Sequence, residues 1–119
     1  MNIKLRRAYE APQEEDGLRI LVDRLWPRGV SRSSAGIDLW LREIAPSDAL
    51  RKWFGHDPEK WAGFRDRYAG ELDHKPEVVE ELRKNACHGT ITLVYGAKDT
   101  EHNNAVVLKE YLESDRNQP

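Results

Sequence analysis

Arginine and tryptophan crowd into one short stretch of this 119-residue chain, where Arg24 and Arg28 flank Trp26. Guanidinium groups are fork-shaped donors that suit phosphate or carboxylate groups, and an indole ring offers a flat apolar face for stacking. Charged groups at the end of an apolar segment are costly unless they meet partners, water or a ligand. This stretch therefore predicts a binding role for these three residues towards a small anionic molecule.

A second polar stretch near the C-terminus contains Lys98, Asp99, His102 and Asn103 at the start of a predicted helix. Free N–H groups and the helix dipole favour an anion there. His102 could act as a general acid or base near neutral pH, with Asp99 orienting it. We therefore assign His102 and Asp99 as candidate catalytic residues. Lys98 and Asn103 are candidate binding residues, and His56, in a turn between Gly55 and Asp57, joins them.

Ordinary structural roles compete with each of these assignments. Arg24 could pair with an internal acid, and Trp26 could fill the core, as most tryptophans do. Asp99 or Thr100 could cap the last helix, which would leave His102 and Asn103 as surface residues.

Metal and cofactor sites are not predicted. No two histidines have zinc-ligand spacing, and Cys87 has no thiol partner. The chain contains no Walker loop, no dinucleotide-binding glycine motif and no hydrolase elbow. Cys87 follows an apolar helix face and is expected to be a small core residue.

The elements that would position these residues alternate between strands and helices. Four strands are predicted at residues 3–9, 18–24, 37–44 and 90–95. Helices are predicted to follow Ser47, Asp57 and Pro76 and to close the domain after the 98–104 turn. This pattern predicts an α/β fold: a single compact domain, residues 1–113, with a mostly parallel sheet flanked by helices. Residues 11–17 are expected to form an acidic surface loop, and residues 114–119 a polar C-terminal tail.

Parallel sheets bind ligands at the carboxyl ends of their strands. The polar stretches follow the strands at residues 18–24 and 90–95, so they are expected to meet at one edge if those strands run parallel. The candidate site thus depends on sheet topology, which the sequence does not supply.

Composition limits the partners. The net charge is −2, so no overall positive field attracts nucleic acid, although a local basic patch is compatible with it. No apolar stretch is long enough to span a membrane, and the N-terminal basic residues lack the apolar segment of a signal peptide. A single cysteine fits a reducing compartment. We expect a cytoplasmic protein that does not associate with membranes.

Several segments resemble one known family. They are residues 22–31, 44–47, 50–58, 93–99 and 102–108, read for example as Val-Asp-Arg-Leu-Trp-Pro-Arg-Gly-Val-Ser in the first. The chain is similar over residues 3–112 to the YeaO-like domain-of-unknown-function family DUF488, which comprises small bacterial proteins. The resemblance implies a compact α/β domain but no activity. It marks as motif positions Arg24, Trp26, Arg28, His56, Asp99, His102 and Asn103. Ser33, Ser34 and Lys98 depart from the family pattern.

Three functions remain open from the sequence. The leading hypothesis is a small enzyme or ligand-binding domain that acts on a phosphate- or carboxylate-bearing molecule. The alternative is a non-enzymatic binding module for nucleic acid or a protein partner, with nucleic acid the less favoured because of the net charge. The third is an internal Arg–Asp network with a structural role. The oligomeric state stays open.

Overall fold

A four-stranded sheet, parallel throughout, forms the centre of the domain. The computed structural model describes residues 1–114. The strand order is β1-β4-β2-β3, and each neighbouring pair is parallel. The strands are β1 (Asn2–Arg7), β2 (Leu18–Leu21), β3 (Leu39–Trp40) and β4 (Thr90–Tyr95). The predicted α/β architecture with a mostly parallel sheet is confirmed.

Five α-helices accompany the sheet within the described residues. They are α1 (Arg32–Ala35), α2 (Asp48–Phe54), α3 (Trp61–Leu72), α4 (Pro76–His88) and α5 (Asn104–Glu113). Local sequence signals fix several ends. The Ser47 hydroxyl caps α2 by accepting the N–H of Leu50, and Gly55 ends this helix in the left-handed conformation. Asp57 caps a 3-10 turn, Pro58–Lys60, that leads into α3.

Side chains alternate between two cores along the central strands. Ile20 and Leu93 face the larger core, which packs against α2, α3, α4 and α5. Leu21 and Val94 face a smaller core that contains Ala35 of α1. Successive strand residues point to opposite faces, and both faces are covered, which explains the continuous apolar runs.

The third strand is much shorter than predicted. The alternation over residues 37–44 predicts one strand, but only Leu39–Trp40 pair with β2, and Arg42–Ile44 form a 3-10 turn. The partner of β3 is β2, and β2 ends at Leu21, where its pairing with β4 also ends. Residues 42–44 therefore have no neighbouring strand with which to pair. Alternation alone does not make a strand without a partner.

Of two predictions about burial, one holds except at Asp16 and the other is wrong. The acidic segment 11–17 is not simply a surface loop, because it contains the 3-10 turn Glu14–Asp16 and the side chain of Asp16 is fully buried against Arg19. Cys87 is exposed rather than in the core. It follows Ala86, the last residue of the row of α4 that faces the core, and the next position turns outward.

Of the predicted polar tail, only Ser114 lies within the described residues. Among residues 1–114, no helix combines the length and the apolar character that a membrane span requires.

Candidate functional site

A cavity of about 460 Å³ opens at the carboxyl ends of β2 and β4. The segments after both strands line it, together with the end of α2 and the start of α5, as expected for a parallel sheet. Its lining residues are Tyr9, Asp23, Arg24, Leu25, Trp26, Pro27, Arg28, Pro46, Arg51, Lys52, Phe54, His56, Phe64, Gly96, Ala97, Asn103 and Asn104. We call it the central cavity.

The two polar stretches meet at this edge, and Asp23 joins them. Its Oδ2 accepts the backbone N–H of Gly96 at 2.9 Å, and its Oδ1 accepts Nδ2 of Asn104 at 3.1 Å. Asn104 also donates to the carbonyl of Val22 at 3.0 Å. The expectation that both turns share one edge of the sheet is therefore confirmed.

The first stretch combines structural and accessible groups. Trp26 lines the cavity and donates its indole N–H to the carbonyl of Val30 at 2.6 Å. Its ring also packs edge-on against Trp40, with ring centroids 5.3 Å apart. Arg24 donates from Nε to the carbonyl of Pro46 at 3.1 Å, whereas Arg28 is exposed. Arg24 and Trp26 thus have structural partners as well as a place in the cavity wall.

His56 and Asn103 also line the cavity. His56 has φ +56°, a left-handed conformation that non-glycine residues seldom adopt, and its ring lies 6.1 Å from that of Phe54. Asn103 caps α5 by accepting the N–H of Val106 at 3.1 Å, so neither Asp99 nor Thr100 is the cap. The amide of Asn103 also donates to the carbonyl of Asp99 at 2.9 Å.

The candidate catalytic pair lies outside the cavity lining. Asp99 Oδ2 and His102 Nδ1 are 2.9 Å apart, so the predicted contact between them exists. The N–H of Glu101 and the His102 side chain hold the pKa of Asp99 below its ordinary value. The His102 ring packs edge-on against Trp61 at 5.0 Å, and Trp61 in turn contacts the cavity-lining Phe54 and Phe64. Lys98 is exposed and also lies outside the lining.

The lining residues to which sequence reasoning assigned no site role include Asp23, Arg51, Lys52, Phe54 and Asn104. Asp23 had a signal, because it directly follows a buried strand and stands beside Arg24. The residues of α2 had none, since only the tertiary fold brings that helix over the sheet edge.

Burial dominates the chemistry of Asp23. It raises the pKa of the carboxyl above the ordinary value of 3.8, although the hydrogen bonds from Gly96 and Asn104 and the nearby charges of Arg51 and His56 act in the opposite direction. No group of three or more His, Cys, Asp or Glu side chains within residues 1–114 is arranged to hold a metal ion.

The raised pKa of Asp23 predicts that this residue lowers the stability of the fold in a pH-dependent manner. The native carboxyl keeps its proton to a higher pH than the unfolded one, so stability falls as pH rises from 3.8 through the native pKa. Replacement by asparagine removes this titration. We expect urea denaturation between roughly pH 4 and pH 8 to show the wild type losing stability relative to Asp23→Asn as pH rises. A constant difference across that range would contradict the prediction.

Two known proteins are similar to this chain over nearly their whole length, and both are named as uncharacterised. The uncharacterised protein YeaO of Escherichia coli (strain K12) is 42% identical over 114 residues, which cover 96% of this chain and 99% of the relative. The uncharacterised protein Rv3073c of Mycobacterium tuberculosis (strain H37Rv) is 36% identical over 110 residues, 92% of each chain. No solved structure matches this chain. The family model described as the inactive DUF488-N3 subclade matches residues 2–118, and the chain therefore belongs to this YeaO-like DUF488 family.

Proposed function

We propose that this protein is a binding domain for a small anionic molecule that carries a phosphate or carboxylate group. The charge of the central cavity is the observation that supports this. Arg24, Arg28, Arg51 and Lys52 line it, while Asp23 is its single carboxylate among the described residues. The chain as a whole has a net charge of −2, so this positive cavity contrasts with the rest of the molecule.

The four cations differ in availability. Arg24 is bonded to backbone carbonyls, and its Nε lies 3.8 Å from Asp48. Arg51 pairs with the same carboxylate at 2.9 Å. Within residues 1–114, no hydrogen bond or ion pair holds the side chain of Arg28 or that of Lys52. These two side chains are therefore the groups available to meet an anion, whereas Arg24 and Arg51 share the carboxylate of Asp48.

The backbone at His56 supports a functional cavity. A left-handed non-glycine residue costs about 1–3 kcal/mol and persists where the surroundings impose it, which is common at binding sites. At this position an ordinary glycine, as at Gly55, would remove the cost. The imidazole retained at the cavity wall adds ring nitrogens that can donate or accept a hydrogen bond.

Two observations favour binding over catalysis. The subclade to which the chain belongs is described as inactive. The Asp99–His102 pair, the best acid–base arrangement in the sequence, lies outside the lining of the cavity. An enzyme that uses this pair on the same ligand is the less favoured hypothesis.

Removal of one unpaired cation should weaken anion binding selectively. We expect Lys52→Gln to lower the affinity for nucleoside monophosphates about fivefold, since an exposed charge contributes up to about 1 kcal/mol. The matched control is Lys84→Gln, which removes an equally exposed helix lysine outside the cavity. Isothermal titration calorimetry on the full chain, with neutral nucleosides as reference ligands, measures the difference.

Three outcomes separate the functions. Equal weakening by both lysine variants would mean that overall charge, not the cavity, attracts the anion. Absence of binding by every monophosphate and by every carboxylate-bearing ligand tested would remove the proposal. Tight, salt-dependent binding of a single-stranded oligonucleotide without binding of mononucleotides would favour the nucleic-acid module instead.

A further inference from the structure

Two polar residues of the central cavity, Asp23 and Asn104, retain free hydrogen-bond acceptors. Asp23 accepts one N–H on each carboxylate oxygen, from Gly96 and from Asn104. Each carboxylate oxygen has about two lone-pair sites, so each retains one. Asn104 uses both N–H groups of its amide, on Val22 and on Asp23, which leaves its Oδ1 as an acceptor. A ligand that reaches these groups must bring hydrogen-bond donors.

The apolar residues that line the central cavity favour a flat, uncharged part of a ligand. Phe54 and Phe64 are 5% and 2% exposed and are stacked with centroids 4.3 Å apart, and Trp26 and Pro27 also line the cavity. A volume of about 460 Å³ is within the range of small-molecule sites. The cations at the exposed side of the cavity disfavour a positively charged donor such as an amine or a guanidinium group. A flat, neutral heterocycle that carries N–H donors therefore fits these walls better than an amine does.

We propose that the central cavity recognises a guanine mononucleotide, with two adjacent N–H donors of the base on the carboxylate of Asp23 and the phosphate near Arg28 and Lys52. Guanine presents a ring N–H beside an exocyclic amine, which matches a carboxylate with one free site on each oxygen. On that edge adenine and cytosine present one donor group beside an acceptor, and uracil presents one N–H between two acceptors. Each of them therefore leaves one oxygen of Asp23 unmatched. This inference rests on the proposed anion-binding function and specifies its ligand.

The same pair of donors occurs on the 2-amino-4-oxo edge of pterins. The proposed site requires a ligand that has this pair of donors and an attached anionic group. A guanosine with a phosphate and a pterin with a carboxylate both meet this requirement. We favour the nucleotide because several cations line the cavity together with a single carboxylate, which suits a dianion.

Calorimetry on the full chain with guanosine, inosine and adenosine monophosphates tests the recognition. Inosine monophosphate lacks only the exocyclic amine, so we expect it to bind about tenfold more weakly than the guanine nucleotide. Asp23→Asn places an amide where the carboxylate stood and should abolish this preference. Because that variant also changes the contact with Asn104, the comparison of ligands on the unaltered chain is the independent readout.

The outcomes distinguish this inference from the proposed function. Equal affinity for the guanine and hypoxanthine nucleotides, or tighter binding of the adenine nucleotide, would overturn recognition by Asp23. If other monophosphates still bound in a Lys52-dependent manner, the anion-binding function would stand alone. Tighter binding of pterin-6-carboxylate than of the guanine nucleotide would support recognition of two adjacent N–H donors by Asp23. It would also identify the ligand as a pterin rather than a nucleotide. Failure of all these anions would overturn both proposals.

Discussion

Replacement of Asp16 by alanine should lower the free energy of unfolding by about 3–5 kcal/mol, because it leaves a buried arginine without its counter-charge. Asp16 is 0% exposed and Arg19 is 2% exposed, and Nη1 of Arg19 lies 2.5 Å from Oδ2 of Asp16. Urea denaturation of the full chain at neutral pH measures the loss. A difference below about 1 kcal/mol would contradict the prediction.

The surroundings of this pair explain the size of the effect. Asp16 also accepts the N–H of Gln13 at 3.2 Å and lies 3.4 Å from Nε of Arg6. Arg19 donates from Nε to the carbonyl of Ala35 at 3.1 Å, whereas its buried Nη2 has no partner among the described residues. The guanidinium thus depends on Asp16 for its neutralisation, and water cannot replace the lost carboxylate without opening the fold.

A second substitution isolates the contribution of the pair. Arg19→Met in the Asp16→Ala background removes the stranded charge, so it should restore part of the lost stability rather than lower it further. Additive losses from the two substitutions would show that the pair is not coupled.

The pH dependence of the same pair has a defined sign. Burial tends to raise the pKa of Asp16, but the hydrogen bonds from Gln13, Arg19 and Arg6 outweigh it and hold the pKa below its ordinary value of 3.8. The unfolded chain therefore takes up the proton first. The stabilisation is complete above that value and is lost as pH falls through the native pKa, and Asp16→Ala lacks this loss.

Local patterns were sufficient for the elements that frame the cavity. The β-branched run at residues 90–95 and the caps at Ser47, Gly55 and Asp57 predict β4, α2 and the turn before α3, and the structure has them there. Interleaved strands and helices then favour a parallel sheet, and this topology brings the two polar stretches together. The contact of Asp23 with Gly96 and Asn104 could therefore be expected from the sequence.

Contacts between segments that are distant in the sequence could not be predicted from local patterns. Asp16 is buried beside β4, where the hydroxyl of Thr92 donates to its carbonyl at 2.7 Å, and an acidic run beside a proline gives no sign of it. Arg51 and Lys52 reach the cavity because α2 packs over the end of the sheet, which no local pattern records. His102 shows both cases: its spacing from Asp99 predicts their contact, but its edge-on contact with the ring of Trp61 joins distant segments and has no local signal.

The start of β2 gives the second large prediction. Gly17→Ala should lower the free energy of unfolding by about 3 kcal/mol or more, because two costs combine. Gly17 has φ +62° and ψ −136°, which an L-residue adopts only with strain. A Cβ there would also lie far inside van der Waals contact of the carbonyl oxygen of Thr90, a backbone atom that cannot move aside alone. Chemical denaturation measures the loss.

Gly70→Ala is the matched control for this substitution. Gly70 lies within α3, and nothing comes within 4 Å of the position that its Cβ would occupy. Alanine is the better helix former, so this variant should gain about 0.5–1 kcal/mol. A Gly17→Ala variant as stable as the wild type would show that the close approach to β4 is not required.

The close approach at Gly17 also bears on the cavity. Gly17 immediately precedes the ladder in which Leu18 pairs with Ile91 and Leu21 with Val94. In this register, Asp23 follows the strand on the side of Gly96 and Asn104, and a shift of one residue would turn its side chain to the opposite face. We therefore expect the folded fraction of Gly17→Ala to bind monophosphates more weakly than the wild type, whereas Gly70→Ala should bind them equally well. Calorimetry below the denaturation midpoint measures this, and unchanged affinity in Gly17→Ala would show that the register of β2 tolerates the substitution.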